Sequence, residues 1–122
     1  MINNIPEFET PYHLIDIEQL ERNLSILQNL KAHTNCKILY ALKAFSNNLL
    51  FKYIKTYLDG VCASGLYEAK LGKEFFKKEV HTFSTTYKDS EIKDISTYSD
   101  FVIFNSFSQW KRYNEIVRQC RT

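Results

Sequence analysis

Lys43 is the residue whose type and place most directly suggest chemistry. It follows an apolar run, Lys37–Leu42 (KILYAL), that reads as a strand. A strand alternates its side chains between two faces, so Leu39, Ala41 and Lys43 would share one of them. An ammonium group turned inward at the end of such a strand loses hydration, and desolvation lowers a lysine's pKa. The neutral amine can attack an aldehyde and form a Schiff base. Ala41, two residues earlier on that face, leaves room for a flat ring. The plain alternative is a strand-end lysine that reaches solvent.

Other polar residues are placed where they could join it. Ser64-Gly65 follows the run Val61–Ala63 and serves either as helix cap and turn or as a ligand contact. His81 lies inside the run Val80–Thr85. It reads as a satisfied structural histidine, or as one that the neighbouring strand end turns towards a ligand. His13 and His33 have no metal-ligand spacing. Glu68 with Lys70 and Lys73, and the run Lys77-Lys78-Glu79, read as a solvated helix face. Phe75, Phe76 and Trp110 read as core. Cys36, Cys62 and Cys120 are odd in number and widely spaced, which excludes a disulfide framework and a paired-cysteine metal site. They are expected to be reduced and mostly buried.

The elements that must position these residues recur with a regular rhythm. The runs Lys37–Leu42, Val61–Ala63, Val80–Thr85 and Phe101–Asn105 have centres about 20 residues apart, room for one helix and two short loops each time. Ile17, Leu20, Leu24, Leu27 and Leu30 form one helical stripe before the first run. Trp110, Tyr113, Val117 and Cys120 form another after the last. Asp16 stands three before Gln19 and Ser106 three before Gln109, a pattern that caps a first helical turn. Strands separated by helices imply parallel pairing, hence a doubly wound sheet or a βα barrel. Functional groups in such folds gather at the carboxyl ends of the strands. Those ends carry Lys43 and Ala44, Ser64 and Gly65, Ser84 to Thr86, and Asn105 with Ser106.

The composition sets outer limits. Of 122 residues, 44% are hydrophobic and 15% aromatic, enough for one globular core. Sixteen basic and fourteen acidic residues leave a formal charge of +2, too balanced to imply nucleic acid or an anionic membrane as partner. The opening MINNIPEFETP lacks a basic region followed by an apolar one, and no window approaches the roughly 20 apolar residues of a membrane span. A cytoplasmic location is expected. Three glycines and two prolines leave no linker or obvious domain boundary.

At Tyr40–Phe45 (YALKAF) the sequence resembles the first barrel strand of the fold-type III pyridoxal-phosphate (PLP) decarboxylases, the group of the ornithine, arginine and diaminopimelate enzymes. Thr10–Asp16 (TPYHLID), Tyr57–Gly72 (YLDGVCASGLYEAKLG), His81–Ile92 (HTFSTTYKDSEI) and Ile103–Gln109 (IFNSFSQ) narrow the likeness to the carboxynorspermidine/carboxyspermidine decarboxylases. The resemblance implies an α/β fold: the amino-terminal half of a (β/α)8 TIM-type barrel, about four βα units, preceded by a short strand and helix. Residues 1–122 would then be a partial PLP-binding domain. Lys43 would carry PLP, with Ala41, Ser64 and His81 beside the cofactor and no metal. The substrate would be a carboxylated polyamine, which loses carbon dioxide to give norspermidine or spermidine while the cofactor ring takes up the electron pair.

A full barrel needs eight units and about 250 residues. Members of this family continue into the remaining barrel units, with the phosphate loop and the acidic partner of the ring nitrogen. They end in a β-domain that helps form a homodimer. The 122 residues are therefore expected to be a truncated frame, a fragment or one piece of a split protein, inactive alone and prone to aggregate through open edges and an uncovered apolar face. Two alternatives stay open. One is another enzyme of the same fold type, or a racemase-like or PLP-carrier protein. The other is a non-catalytic flavodoxin-like binding domain in which Lys43 is structural.

If the first helical stripe packs on the sheet, Leu24→Ala should destabilise by about 2–5 kcal/mol in denaturant unfolding, and a change near zero would show the stripe to be misassigned.

Overall fold

The computed structural model describes residues 9–120. The elements run α1 (Ile17–Thr34), β1 (Leu39–Ala41), α2 (Phe51–Tyr57, after a 3-10 turn at Asn48–Leu50), β2 (Gly60–Ala63), α3 (Leu66–Leu71), β3 (Glu79–Phe83), α4 (Ile92–Tyr98), β4 (Phe101–Ile103) and α5 (Phe107–Gln119). A wide turn at Gly72–Phe76 continues α3. The four strands expected from the apolar runs are present, and three are shorter than their runs because pairing ends where the chain turns towards the next helix. The short strand expected before α1 is absent among the described residues. Pro11 has no N–H to donate, and the sheet offers residues 9–16 no neighbour. Residues 1–8 of the opening segment lie outside the described residues.

Both capping expectations hold. The Asp16 carboxylate accepts from Gln19 N at 3.0 Å, and the Ser106 hydroxyl accepts from Gln109 N at 3.2 Å. Helix α1 ends at Asn35, whose φ of 53° lets its N–H return to Lys31 O.

The strands pair in parallel in the order β1-β2-β3-β4, the order of the chain. A doubly wound sheet starts from an inner strand, reverses direction and carries helices on both faces. Here nothing reverses, so the doubly wound alternative, and the flavodoxin-like reading that depends on it, do not describe this chain. One face of the sheet is covered. Tyr40, Leu42, Val61, Ala63, Val80 and Thr82 point towards the helices, and all but Tyr40 are fully buried. They meet Leu24 of α1, Phe51 and Ile54 of α2, and Ala69 and Phe76 of the α3 segment. A second cluster gathers Tyr87, Ile92, Ile95, Tyr113 and Val117 beneath α4 and α5. Gly72 allows the closest approach of helix to sheet: a Cβ there would lie 2.6 Å from Val61 Cγ2 and 3.2 Å from Val80 Cγ2.

The opposite face is open. Phe83, Phe101 and Ile103, on the alternate positions, remain 44%, 45% and 41% exposed. Phe76 is core as expected, but Phe75 and Trp110 are not, at 50% and 49% exposed. Phe75 falls on the outer side of its turn, and Trp110, although on the stripe with Tyr113 and Val117, sits in the first turns of α5, where no described residue covers it. The cysteines also depart from expectation. Cys36 is exposed in the loop after α1, while Cys62 and Cys120 are only half-buried.

A repeated polar clamp ties the amino ends of the strands. The Asp59 carboxylate accepts from Ile38 N at 2.8 Å and from Lys31 Nζ at 2.6 Å. The Asp100 carboxylate accepts from Val80 N at 2.8 Å and from Lys73 Nζ at 2.9 Å. Between them, Lys78 Nζ donates to Leu58 O at 2.7 Å. Lys73 and Lys78 thus hold strand ends rather than forming only a solvated face. Burial would raise both carboxyl pKa values, but the lysine and backbone hydrogen bonds outweigh it and hold each below the usual range.

A carboxyl whose pKa is lower in the folded state adds stability above its unfolded pKa of about 3.9, and that contribution is lost as pH falls through the folded value. The denaturation midpoint should therefore drop as the pH is taken below about 4, and less steeply in the Asp59→Asn/Asp100→Asn variant. An equally steep acid limb in that variant would show that the clamps do not titrate. At neutral pH, Asp100→Ala should cost about 1–3 kcal/mol, because it leaves the buried Val80 N–H without its acceptor.

Candidate active site

The open face and the carboxyl ends of the strands meet at Lys43. β1 ends at Ala41, and Lys43 lies in the turn Leu42–Ala44 rather than in the strand. That turn is pinned. Leu42 is 1% exposed on the helix-covered face, and its N–H donates to Cys62 O at 3.0 Å. Ala44 N donates to Ala41 O at 3.1 Å. The Tyr40 ring packs against both Phe51 and Phe76, which touch each other, and its hydroxyl donates to Phe45 O. With Leu42 driven into the core, its neighbour Lys43 is turned away from the helices and is exposed. The expected shielding of this amine from water is not supplied by residues 9–120. Among them no carboxylate pairs with Lys43.

The register aligns the neighbours. Ala41 stands opposite Cys62, Cys62 opposite His81, and His81 opposite Phe101, so one row crosses all four strands on the open face. Of the sequence candidates, Ala41 and His81 lie in this row. Ser64 lies at the carboxyl end of β2, two residues beyond Cys62, and is exposed. The structure therefore brings Lys43, Ala41, Ser64 and His81 to one side of the sheet.

His81 is held on two sides. Its ring stacks on Phe101 with centroids 4.3 Å apart, and Nε2 lies 3.1 Å from Glu79 Oε2. Glu79 in turn pairs with Lys37. Hydrogen bonds from Lys37 and then from His81 hold the Glu79 carboxyl below its usual range. Ser64 contributes no side-chain cap to α3, whose N-cap is Gly65. Instead Ser64 N donates to Glu68 Oε2 at 2.6 Å, leaving the Ser64 hydroxyl at the rim.

Sequence reasoning overlooked four residues. Period-two alternation from Ala63 back to Val61 would have put Cys62 on Lys43's face, and from His81 back to Glu79 would have exposed that pair. Tyr40 and Tyr87 left no such signal. The Tyr87 hydroxyl lies 2.8 Å from Ile103 O and 3.0 Å from Thr82 O, clasping the carboxyl ends of β3 and β4. Burial raises its pKa, so it stays protonated. His13 and His33 are exposed, and His33 Nδ1 lies 2.7 Å from Asn29 O. Among the described residues no group of three or more His, Cys, Asp or Glu side chains could hold a metal, and no helix is long and apolar enough to cross a membrane.

The chain is thus an α/β protein whose parallel sheet, covered on one face among the described residues, carries the exposed amine of Lys43 at its carboxyl rim. No protein-family model matches it. Individual relatives do, and they are decarboxylases. The chain is 40% identical over 105 residues to the carboxynorspermidine/carboxyspermidine decarboxylase from Herminiimonas arsenicoxydans, covering 86% of this chain and 29% of that one. It is 35% identical over 107 residues to the one from Campylobacter jejuni subsp. jejuni, covering 88% and 28%. It is also 34% identical over 109 residues to the carboxyaminopropylagmatine decarboxylase of Synechocystis sp., covering 89% and 28%. The crystal structure of carboxynorspermidine decarboxylase from Campylobacter jejuni, complexed with norspermidine, superposes with a TM-score of 0.88 at 33% identity, over 92% of this chain and 30% of that one. The chain spans less than a third of the length of these relatives. The resemblance read from YALKAF and SGLYEAKLG therefore holds along most of the chain, and these decarboxylases are its homologues.

Proposed function

We propose that this chain is the lysine-bearing part of a PLP-dependent decarboxylase acting on a carboxylated polyamine, carboxynorspermidine or carboxyspermidine. The observation that carries the reading is the place of Lys43: an amine at the carboxyl end of β1, on the open face, in a chain 35–40% identical to decarboxylases of these substrates. In this reading the sheet is the first half of a (β/α)8 barrel and residues 1–122 are part of its PLP-binding domain. The chain-order strands, the single helical layer and the outward edges of β1 and β4 support it. The norspermidine held by the Campylobacter jejuni structure supports the polyamine class. A homodimer is proposed for the complete enzyme.

The residues present fit the aldehyde end of such a cofactor. Among the described residues Lys43 has no competing carboxylate, and Ala41 leaves open space beside it. When bound, PLP supplies an electron sink for the pair released as the carboxylate leaves as carbon dioxide. Lys43 Nζ would hold the cofactor through its aldehyde carbon. His81, fixed by Glu79 and Phe101, presents a set imidazole to the space above Ala41 and Cys62. The Ser64 hydroxyl is a donor for the cofactor's oxygens.

Incubating the chain with PLP, reducing with borohydride and mapping the labelled peptide tests the anchor without requiring turnover. Label is expected at Lys43 in preference to the surface lysines and should disappear in Lys43→Ala. Equal labelling across the lysines, unchanged in Lys43→Ala, would end the assignment. The 122 residues alone should release no carbon dioxide from carboxynorspermidine.

A further inference from the structure

The open face carries a thiol to which the reading above gives no role. Cys62 lies in β2, directly opposite Ala41 on one side and His81 on the other. Side-chain alternation puts it on Lys43's side of the sheet, one level nearer the amino ends of the strands. Parallel strands lie about 4.8 Å apart, so the thiol and the amine border the same small space. Their proximity shows in the electrostatics: burial pushes the Cys62 thiol's pKa up, while the Lys43 ammonium pulls against that rise.

We propose that Cys62 is the floor of the Lys43 site, a positioning residue against which a planar aromatic aldehyde held by Lys43 lies. The inference rests on Lys43 being the holding amine. A ring tethered to Lys43 on this face must lie over whatever fills the row beneath it. Ala41 contributes only a methyl group, and the His81 ring is already seated on Phe101. The polarizable sulfur between them is the surface left for the ring, and sulfur–aromatic contact is favourable. Because the thiolate is the nucleophilic form, a thiol held protonated does not compete with Lys43 for the aldehyde. A branched side chain at position 62 would occupy the space the ring needs.

Alkylation of the 122-residue chain by iodoacetamide, read peptide by peptide, tests this, with Cys36 and Cys120 as internal references remote from Lys43. PLP should slow carbamidomethylation of Cys62 several-fold and leave Cys36 and Cys120 unchanged, and the protection should vanish in Lys43→Ala. In the reverse direction, Cys62→Ser should keep the borohydride-trapped label on Lys43. Cys62→Leu, with a circular dichroism spectrum matching the parent, should lose most of it. Label on Lys43 with no protection of Cys62 overturns the floor and leaves the Lys43 reading standing. Protection that persists in Lys43→Ala also overturns it. No label on Lys43 in the unmodified chain overturns both.

Discussion

A parallel sheet needs cover on both faces, because crossover helices and buried strands go together. Residues 9–120 supply cover for only one. Every strand sends its alternate residues into the helical layer, and Val61, Val80 and Thr82 there are fully enclosed. The other set, running from Ala41 through Cys62 and His81 to Phe101, is less enclosed: the His81 side chain keeps 18% of its surface exposed and Phe101 45%. Apolar surface of this kind, bordered by the outward edges of β1 and β4, calls for a further layer of structure. The same uncovered face holds the amine. Whatever covers this face would also shield Lys43 from water.

What the chain settles by itself is the direction of Lys43, through its neighbours. Leu42 is committed to the helical layer, Tyr40 lies against the paired rings of Phe51 and Phe76, and the Tyr40 hydroxyl holds the carbonyl of Phe45 beyond the turn. With both flanks fixed, Lys43 has one side of the sheet available. A strand-end lysine reaching solvent and a cofactor lysine awaiting its enclosure have the same local geometry. The difference between them lies in what covers the face.

Much of this was legible in the sequence where a residue's role depends on its near neighbours. Asp16 and Ser106 cap helices because their acceptors lie three residues away. Leu24 is core because its stripe repeats at helical spacing. Legibility ended where a role depends on distant partners. The leading segment lacks a neighbour to pair with, so TPYHLID makes no strand among residues 9–16. Trp110 is a large apolar side chain that composition assigns to the core, yet the neighbour that would cover it is not among residues 9–120. Lys73 and Lys78 read as solvated because their acceptors, Asp100 and Leu58 O, lie 27 and 20 residues away. Among the candidate site residues, Lys43 and Ala41 follow from strand alternation. Glu79's hold on His81 required the same rule applied one step further back.

The two ends of the sheet divide the work. At the amino ends, a lysine from the preceding helix, a strand amide and an aspartate before the next strand form one clamp from Lys31, Ile38 and Asp59 and a second from Lys73, Val80 and Asp100. Each joins a helix to two adjacent strands, and together with Lys78 they tie the four strands in series. At the carboxyl ends the links are looser in kind: the Lys43 turn, the rim hydroxyl of Ser64 and the Tyr87 clasp. Parallel βα architectures place stability at the amino face and chemistry at the carboxyl face. The clamps can hold register without reaching the carboxyl rim, and so the open face can present an amine at that rim, with a thiol and an imidazole one level below it, without the rim carrying the sheet's cohesion.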